Sequence, residues 1–350
     1  MDNKQKKIAV VGAWIFWVTI AWKLAEEWYN VDLYEEKDDI MWCASFSNQY
    51  RVHRGYHYPR SIETAKSSKK HELDFAKYYS DAYMDSEHYY NIAKNDSKTL
   101  VPDYIKFLDK MWLEYDRVEL SCVNNDEVGL SLLSKEKIYD PFVLKDICKD
   151  YIKKFNVNLI LNTKPNVIDL ELKYDNIVLS TFKNNNNYLS DMKKEYNYQL
   201  YENLIIDLPK EYKNKSFIIL DGDYVCISPY WNTWYSTVVD VKNSIHSDEI
   251  GEKLTIPDHF NEILDKWIIK DSWITNKVEI VKTLQKFFKH IDIGQYVGSI
   301  FTYKVILPWS NLNVDRPTYI NKIWEKKIEV FSGKVVSCVA AAEEIKKMIA

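Results

Sequence analysis

The chain has 350 residues, 46% of them apolar and 28% charged, which excludes a disordered, collagen-like or coiled-coil polypeptide and suits two lobes or one large domain with an insertion. A formal net charge of -4 leaves no electrostatic footprint for nucleic acid, and five scattered cysteines without CxxC spacing exclude a disulfide framework and point to no metal site. One figure is abnormal: 8 Gly stand against 12 Trp, where the usual ~7% of glycine would give about 25.

The N-terminus runs directly into an apolar strand without a signal-peptide core. No stretch approaches ~18 uninterrupted apolar residues, so no integral membrane segment is expected and a cytoplasmic, reduced protein is. KIAVVG at 7–12 reads as a buried parallel strand, residues 15–27 follow with helical apolar spacing, and VDLYE at 31–35 reads as a second strand. The chain therefore opens on a compact βαβ unit. Helices are expected at 61–80, 100–111 and 139–155, with a strand at EHYYNIAK between the first two. VNLIL, NVIDLEL and NIVLS then read as strands, as do SFIILDG, DYVCISPY and STVVDV in a second lobe. Helical segments follow near 258–290, and the chain closes with a strand at IEVFSG and a helix from about Lys334 to Met348.

A dinucleotide-binding turn needs glycine at three places: for the tight turn, for backbone approach to the pyrophosphate, and for packing of helix on strand. An acid on the ribose follows. Here the frame is VVGAWIFW, and Glu35 comes twenty-three residues after Gly12. Strand, helix start, second strand and acid fall at the right spacing, yet only Gly12 of the three glycines is present. Trp14 and Trp17 occupy the other two places. An indole at 14 sits where a phosphate should lie, and one at 17 holds the helix off the strand, each at ~1 to 3 kcal/mol or more of overpacking.

The chain nevertheless resembles the FAD-dependent oxidoreductases of the D-amino-acid oxidase superfamily along nearly its whole length, especially the branch found in bacterial surface-polysaccharide gene clusters. The matching segments are KIAVVGAWIFWVTIAWKLAEEWYNVDLYEE, CASFSNQYRVHRGYHYPRS, DGDYVCISPYWNTWY, DRPTY and VFSGKVVSCVAAAEEI. In that family the positions of Trp14, Trp17 and Trp28 are ordinarily glycine, and glycine is usual or natural at Trp42, Trp231 and Trp234. The departures are all the same substitution. The expectation is that the source organism reads the codon UGA as glycine, so that each such glycine appears as Trp. Trp112, Trp267, Trp273, Trp309 and Trp324 also stand in polar, turn-like settings, while Trp22, inside the first helix, fits the idea least.

The resemblance implies an α/β fold: a Rossmann-like FAD-binding domain with a parallel sheet, assembled from residues 1–75, 140–182 and 295–350. Residues 76–139 and 183–294 would form an inserted α+β substrate or cap domain. It implies FAD held by the turn of Gly12, Ala13, Trp14, Ile15, Phe16 and Trp17, by Glu35 with Glu36 beside it, by Ser45, Asn48 and Gln49, and by Gly333 and Lys334 before the last helix. Arg51, His53 and His57 alternate onto one face if the segment is an extended strand. With Arg316, which the resemblance places at a substrate carboxylate, they are the substrate-side candidates. The implied reaction oxidises a small polar substrate, an amine or amino acid or hydroxy compound, by hydride transfer to flavin N5. The alternatives are a flavin-dependent sugar-nucleotide mutase or, if the tryptophans are genuine, a degenerate homologue without cofactor.

Overall fold

A computed structural model describes residues 5–41, 48–181, 186–189, 193–308, 317–331 and 333–350. In chain order, β1 (Lys7–Val11), α1 (Ile15–Glu26) and β2 (Asn30–Tyr34) are followed by β3 (Arg51–Val52), α2 (Ile62–Tyr79), β4 (Glu87–Ala93) and α3 (Val101–Lys110). Next come β5 (Tyr115–Arg117), β6 (Val128–Ser134), β7 (Lys137–Ile138), α4 (Pro141–Lys154), β8 (Asn158–Ile160), α5 (Val167–Lys173) and β9 (Asn176–Leu179). The rest is β10 (Tyr196–Ile206), β11 (Lys215–Leu220), β12 (Val225–Pro229), β13 (Ser236–Asp240), β14 (Ile245–Gly251), α6 (Lys277–Phe287), β15 (Tyr296–Ile306), β16 (Tyr319–Lys322), β17 (Lys327–Phe331) and α7 (Cys338–Ile349).

Six of these strands form one sheet in the order β16-β17-β9-β1-β2-β8, parallel except for the β16-β17 pair. β1 lies at its centre, buried from Ile8 to Val11, because it is apolar throughout and covered on both faces. α1 packs on one face against α4 and α7, and Ile15, Phe16, Val18, Ile20 and Leu24 share that core. All six strands lie within 1–75, 140–182 and 295–350. β15 lies in the same stretch of sequence but pairs along β10 in the other sheet, because its apolar residues, Ile300, Phe301 and Val305, are buried there.

The second sheet runs β14-β10-β13-β12-β11-β4-β6-β5, with β15 also on β10. β10 is eleven residues long; Tyr196, Tyr198 and Leu200 alternate with polar residues at strand spacing and are buried, as are Leu204 and Ile206. Its one buried acid is fully engaged. Glu202 accepts from Thr275 Oγ1 at 2.6 Å, from the Asn276 backbone N–H at 2.9 Å and from Ser299 Oγ, with His246 Nε2 at 2.8 Å.

Two of the expected elements differ. NVIDLEL is the helix α5, not a strand, because Asn166 accepts from the Ile168 N–H at 2.8 Å and caps it, with Asp169 in its first turn and Lys173 in its last. The last helix begins at Cys338, since Val335–Ser337 forms a 3-10 turn after Lys334.

Three helices end in the same two-bond motif, with a left-handed residue just beyond the cap. After α4 that residue is Asn156 at φ 53°, donating to Lys153 O while Val157 N donates to Ile152 O. After α1 it is Trp28 at φ 66°, donating to Ala25 O while Tyr29 N donates to Leu24 O. After α3 it is Trp112 at φ 51°, donating to Asp109 O while Leu113 N donates to Leu108 O. That position is usually glycine and sometimes Asn, because an ordinary side chain there costs about 1–2 kcal/mol.

Candidate functional site

The first half of the site is the turn between β1 and α1. Gly12 adopts φ +103°, which an L side chain rarely tolerates, and its N–H donates to Tyr34 O at 2.7 Å. The Ala13 N–H donates to Glu35 Oε2 at 2.8 Å, and Glu35 Oε1 accepts from the Lys37 N–H at 3.0 Å. Burial pushes the Glu35 carboxyl up and these backbone donors only partly offset it. Glu35 thus turns inward to the βα turn, while Glu36 beside it is exposed.

Two indoles close over the same turn. Trp14 caps α1 without offering a side-chain acceptor; its ring centroid lies 5.6 Å from Phe16 and 5.4 Å from Trp17. Trp17 is 2% exposed, and it lies so close to Gly12 that a Cβ there would stand 2.7 Å from its Cδ1. Its Nε1 is buried without a hydrogen-bond partner. Ile15 and Phe16 face the core. Trp22 is placed quite differently: its Nε1 donates to Tyr79 OH at 3.0 Å and its ring stacks on Tyr151 at 4.5 Å and 15°.

The second half forms where β3 pairs antiparallel with β7. Arg51 opposes Ile138 and Val52 opposes Lys137, which brings Glu136 against the segment after β3. The strand ends at Val52, so Arg51, His53 and His57 do not share one strand face as expected. The chain instead turns at Gly55, φ +112°, where a Cβ would stand 2.9 Å from Ala65 O. That turn folds His57 back until its ring centroid is 6.1 Å from that of His53. Asn48 Oδ1 accepts from the Tyr50 N–H at 2.6 Å, and Gln49 Oε1 accepts from Arg51 Nη2.

Three residues of this cluster escaped the sequence reading: Glu136, His88 and Tyr90. Glu136 Oε1 accepts from Tyr90 OH at 2.9 Å and Oε2 from the Arg54 N–H at 3.1 Å. His53 Nδ1 and His88 Nε2 lie 3.6 and 3.7 Å from the same Oε1. Burial pushes the Glu136 carboxyl up to about 7, against the pull of Arg51 and its hydrogen bonds. Burial, and then Arg51, hold His88 well below its ordinary value, so it is neutral. His88 and Tyr90 alternate within EHYYNIAK and share a face of β4, a signal available in the sequence. Glu136, in SKEKI, looks like a solvated charge there.

Lys334 reaches the same region from the other end of the chain. Its Nζ donates to Ser68 Oγ at 2.8 Å and lies 3.8 Å from the centroid of the Tyr58 ring. The Gly333 N–H meets Thr318 Oγ1 at 3.4 Å. Ser45 and Arg316 lie outside the described residues, as do Trp42 and Trp309. Among the described residues no group of three His, Cys, Asp or Glu could hold a metal, and no helix is long and apolar enough to cross a membrane.

No family model matches the sequence. Among curated proteins, the chain is 22% identical over 392 residues to the FAD-dependent monooxygenase kojA of Aspergillus flavus, covering 99% of this chain and 86% of that protein. The probable FAD-dependent monooxygenase kojA of Aspergillus oryzae matches equally. Among solved structures, the L-α-glycerophosphate oxidase of Mycoplasma pneumoniae with FAD bound superposes with a TM-score of 0.69 at 12% identity, covering 99% of this chain and 95% of that one. Glycine oxidase from Geobacillus kaustophilus gives 0.68 at 8% identity, covering 99% and 95%. L-Proline dehydrogenase from P. horikoshii gives 0.64 at 16%, covering 98% and 94%. The chain has their fold. It is the α/β arrangement of a largely parallel sheet beside a second, mostly antiparallel one.

Proposed function

We propose that this chain, with glycine in place of the indoles over the βα turn, is an FAD-dependent oxidoreductase of the D-amino-acid oxidase superfamily. It would oxidise a small polar substrate, an amine, amino acid or hydroxy compound, with hydride passing to flavin N5. The observation that carries the reading is the βα turn itself, with Gly12 at φ +103° at the C-terminal end of the central strand and Glu35 bonded to its backbone. In folds of this class that turn and the helix after it receive the pyrophosphate. With Trp14 and Trp17 in place, it does not: the Trp17 ring lies on Gly12, where a phosphate oxygen would need the backbone.

The same reading extends the glycine assignment to the other tryptophans, through UGA decoded as glycine. It is supported by geometry as well as by the family resemblance. Trp28 and Trp112 hold the left-handed position of two helix ends while remaining 84% exposed, so no packing compensates the strain. Trp231 has φ 37° and is the first central residue of the turn closed by Thr233 N–H to Tyr230 O, the place that a type II′ turn gives to glycine. Trp28→Gly and Trp112→Gly should therefore each stabilise the chain by about 1 kcal/mol despite removing a large apolar side chain. Urea denaturation of each variant measures this, and a loss of stability in both would count against glycine.

Within this reading we assign the backbone from Gly12 to residue 17, Glu35, Glu36, Ser45, Asn48, Gln49, Gly333 and Lys334 to the cofactor, and Arg51, His53, His57 and Arg316 to the substrate. We assign residues 1–75, 140–182 and 295–350 to the cofactor domain and the remainder to the substrate domain. The resemblance to the polysaccharide-cluster branch puts hydroxy-sugars among the substrates to try. The four described cysteines are free and buried, which supports a reducing, cytoplasmic setting. The test takes the all-glycine chain, reads the codons at the twelve positions, and records the visible spectrum before and after amines, amino acids and hydroxy-sugars are added without oxygen. An oxidised-flavin spectrum bleached by one class is expected; a colourless all-glycine protein, or UGG codons, would overturn the reading.

A further inference from the structure

We propose that Glu136 is a positioning residue that acts through His53 by setting its protonation, making the pair a buried proton-holding unit behind the substrate side of the site. This rests on the substrate-side reading of His53. Glu136 is 1% exposed, and its oxygens are held from two directions, by Tyr90 OH and by the Arg54 N–H. A carboxylate so fixed has one remaining use for Oε1, and the two imidazoles stand there, His53 Nδ1 at 3.6 Å and His88 Nε2 at 3.7 Å. The imidazoles are not equivalent. His88 is fully buried, lies beside Arg51 and stays neutral. The His53 side chain is 16% exposed and is the member that can exchange a proton outward.

Among the described residues, the other charged or titratable groups facing Glu136 are Arg51 on β3, Lys334 before α7, and the phenols of Tyr56 and Tyr104, while the His53 ring is faced by His57 at 6.1 Å and Tyr58 at 5.8 Å between centroids. Arg51 and Lys334 favour the carboxylate, whereas burial favours the acid, and the balance falls near neutrality. When a proton enters at His53, the imidazolium forms against an ionised Glu136. When Glu136 is itself protonated, that attraction is gone and His53 has no reason to hold a second proton. The pair thus carries one proton across a range where an isolated buried imidazole would carry none.

The experiment follows ring ¹⁵N–¹H correlations of the histidines in the full chain from pH 5 to 9, without cofactor or substrate, in the unmodified protein and in Glu136→Gln. Gln keeps an acceptor for Tyr90 but not the charge. The His53 midpoint should fall by about one pH unit in Glu136→Gln, with the His88 ring unchanged and neutral in both. An unmoved His53 midpoint would overturn the proposal. If Glu136→Gln does not fold, the ¹³C carboxyl signal of Glu136 in the unmodified chain decides: it must respond to pH together with the His53 ring, and independent responses refute the coupling. Since neither measurement needs flavin, a positive titration with no oxidase activity would count against the proposed function and leave this inference standing.

Discussion

Replacing Trp14 and Trp17 by glycine together should turn a colourless protein yellow. The Trp17 indole lies against Gly12, over backbone that a pyrophosphate must reach, and the Trp14 ring packs 5.4 Å from the Trp17 ring. Clearing each ring removes an obstruction of about 1–3 kcal/mol; for two rings this corresponds to roughly a 30-fold to 10⁴-fold gain in FAD affinity. Fluorescence quenching of added FAD measures the gain, with Trp22→Gly as the comparison, because that indole is bonded to Tyr79 and stacked on Tyr151 away from the turn. Equal FAD binding by the tryptophan and glycine forms would sink the assignment. The single variants should each give only part of the effect, since either indole alone still shields the turn.

A second large effect is expected far from that turn. Glu202→Ala should cost roughly 3–5 kcal/mol of stability, the usual penalty for breaking a buried, paired charge network. The carboxylate is wholly buried, and its loss strands Thr275 Oγ1, Ser299 Oγ, the Asn276 N–H and His246 together. Burial acts to raise the Glu202 pKa, but the hydrogen bonds from His246, Ser299 and Thr275 outweigh it and the net shift is downward. A lowered folded value means that the stabilisation is fully present above the unfolded carboxyl's ~4.3 and disappears as pH falls through the lower folded value. Denaturation midpoints at pH 7 and pH 3 should therefore differ less in Glu202→Ala than in the unmodified chain. An equal pH dependence would show that Glu202 is not the group responsible.

The opening of the fold was legible because its signals are local. KIAVV is apolar on both faces, the helix after it has regular apolar spacing, and Glu35 falls at a diagnostic distance. NVIDLEL was misread because its alternation mimics a strand, whereas the Asn166 cap, with Asp169 in the first turn and Lys173 in the last, makes it a helix. The buried cluster was half legible. Arg51, His53 and His57 are dense in one segment, but Glu136 reaches them through pairing of two-residue strands, contacts that no sequence window contains. The tryptophans were legible as anomalies by position. What the sequence could not show is that two of them take the same left-handed place that Asn156 takes after α4.

The place of β1 in the sheet carries a genetic consequence. It is flanked by β2 on one side and β9 on the other, with β9 more than 160 residues downstream in a chain where β1 ends at Val11 and β9 begins at Asn176. If residue 14 is encoded by UGA, a cell that reads this codon as stop would release a peptide ending at Ala13: one strand, with neither neighbour made. The gene would then yield no folded product in a cytoplasm that terminates at UGA.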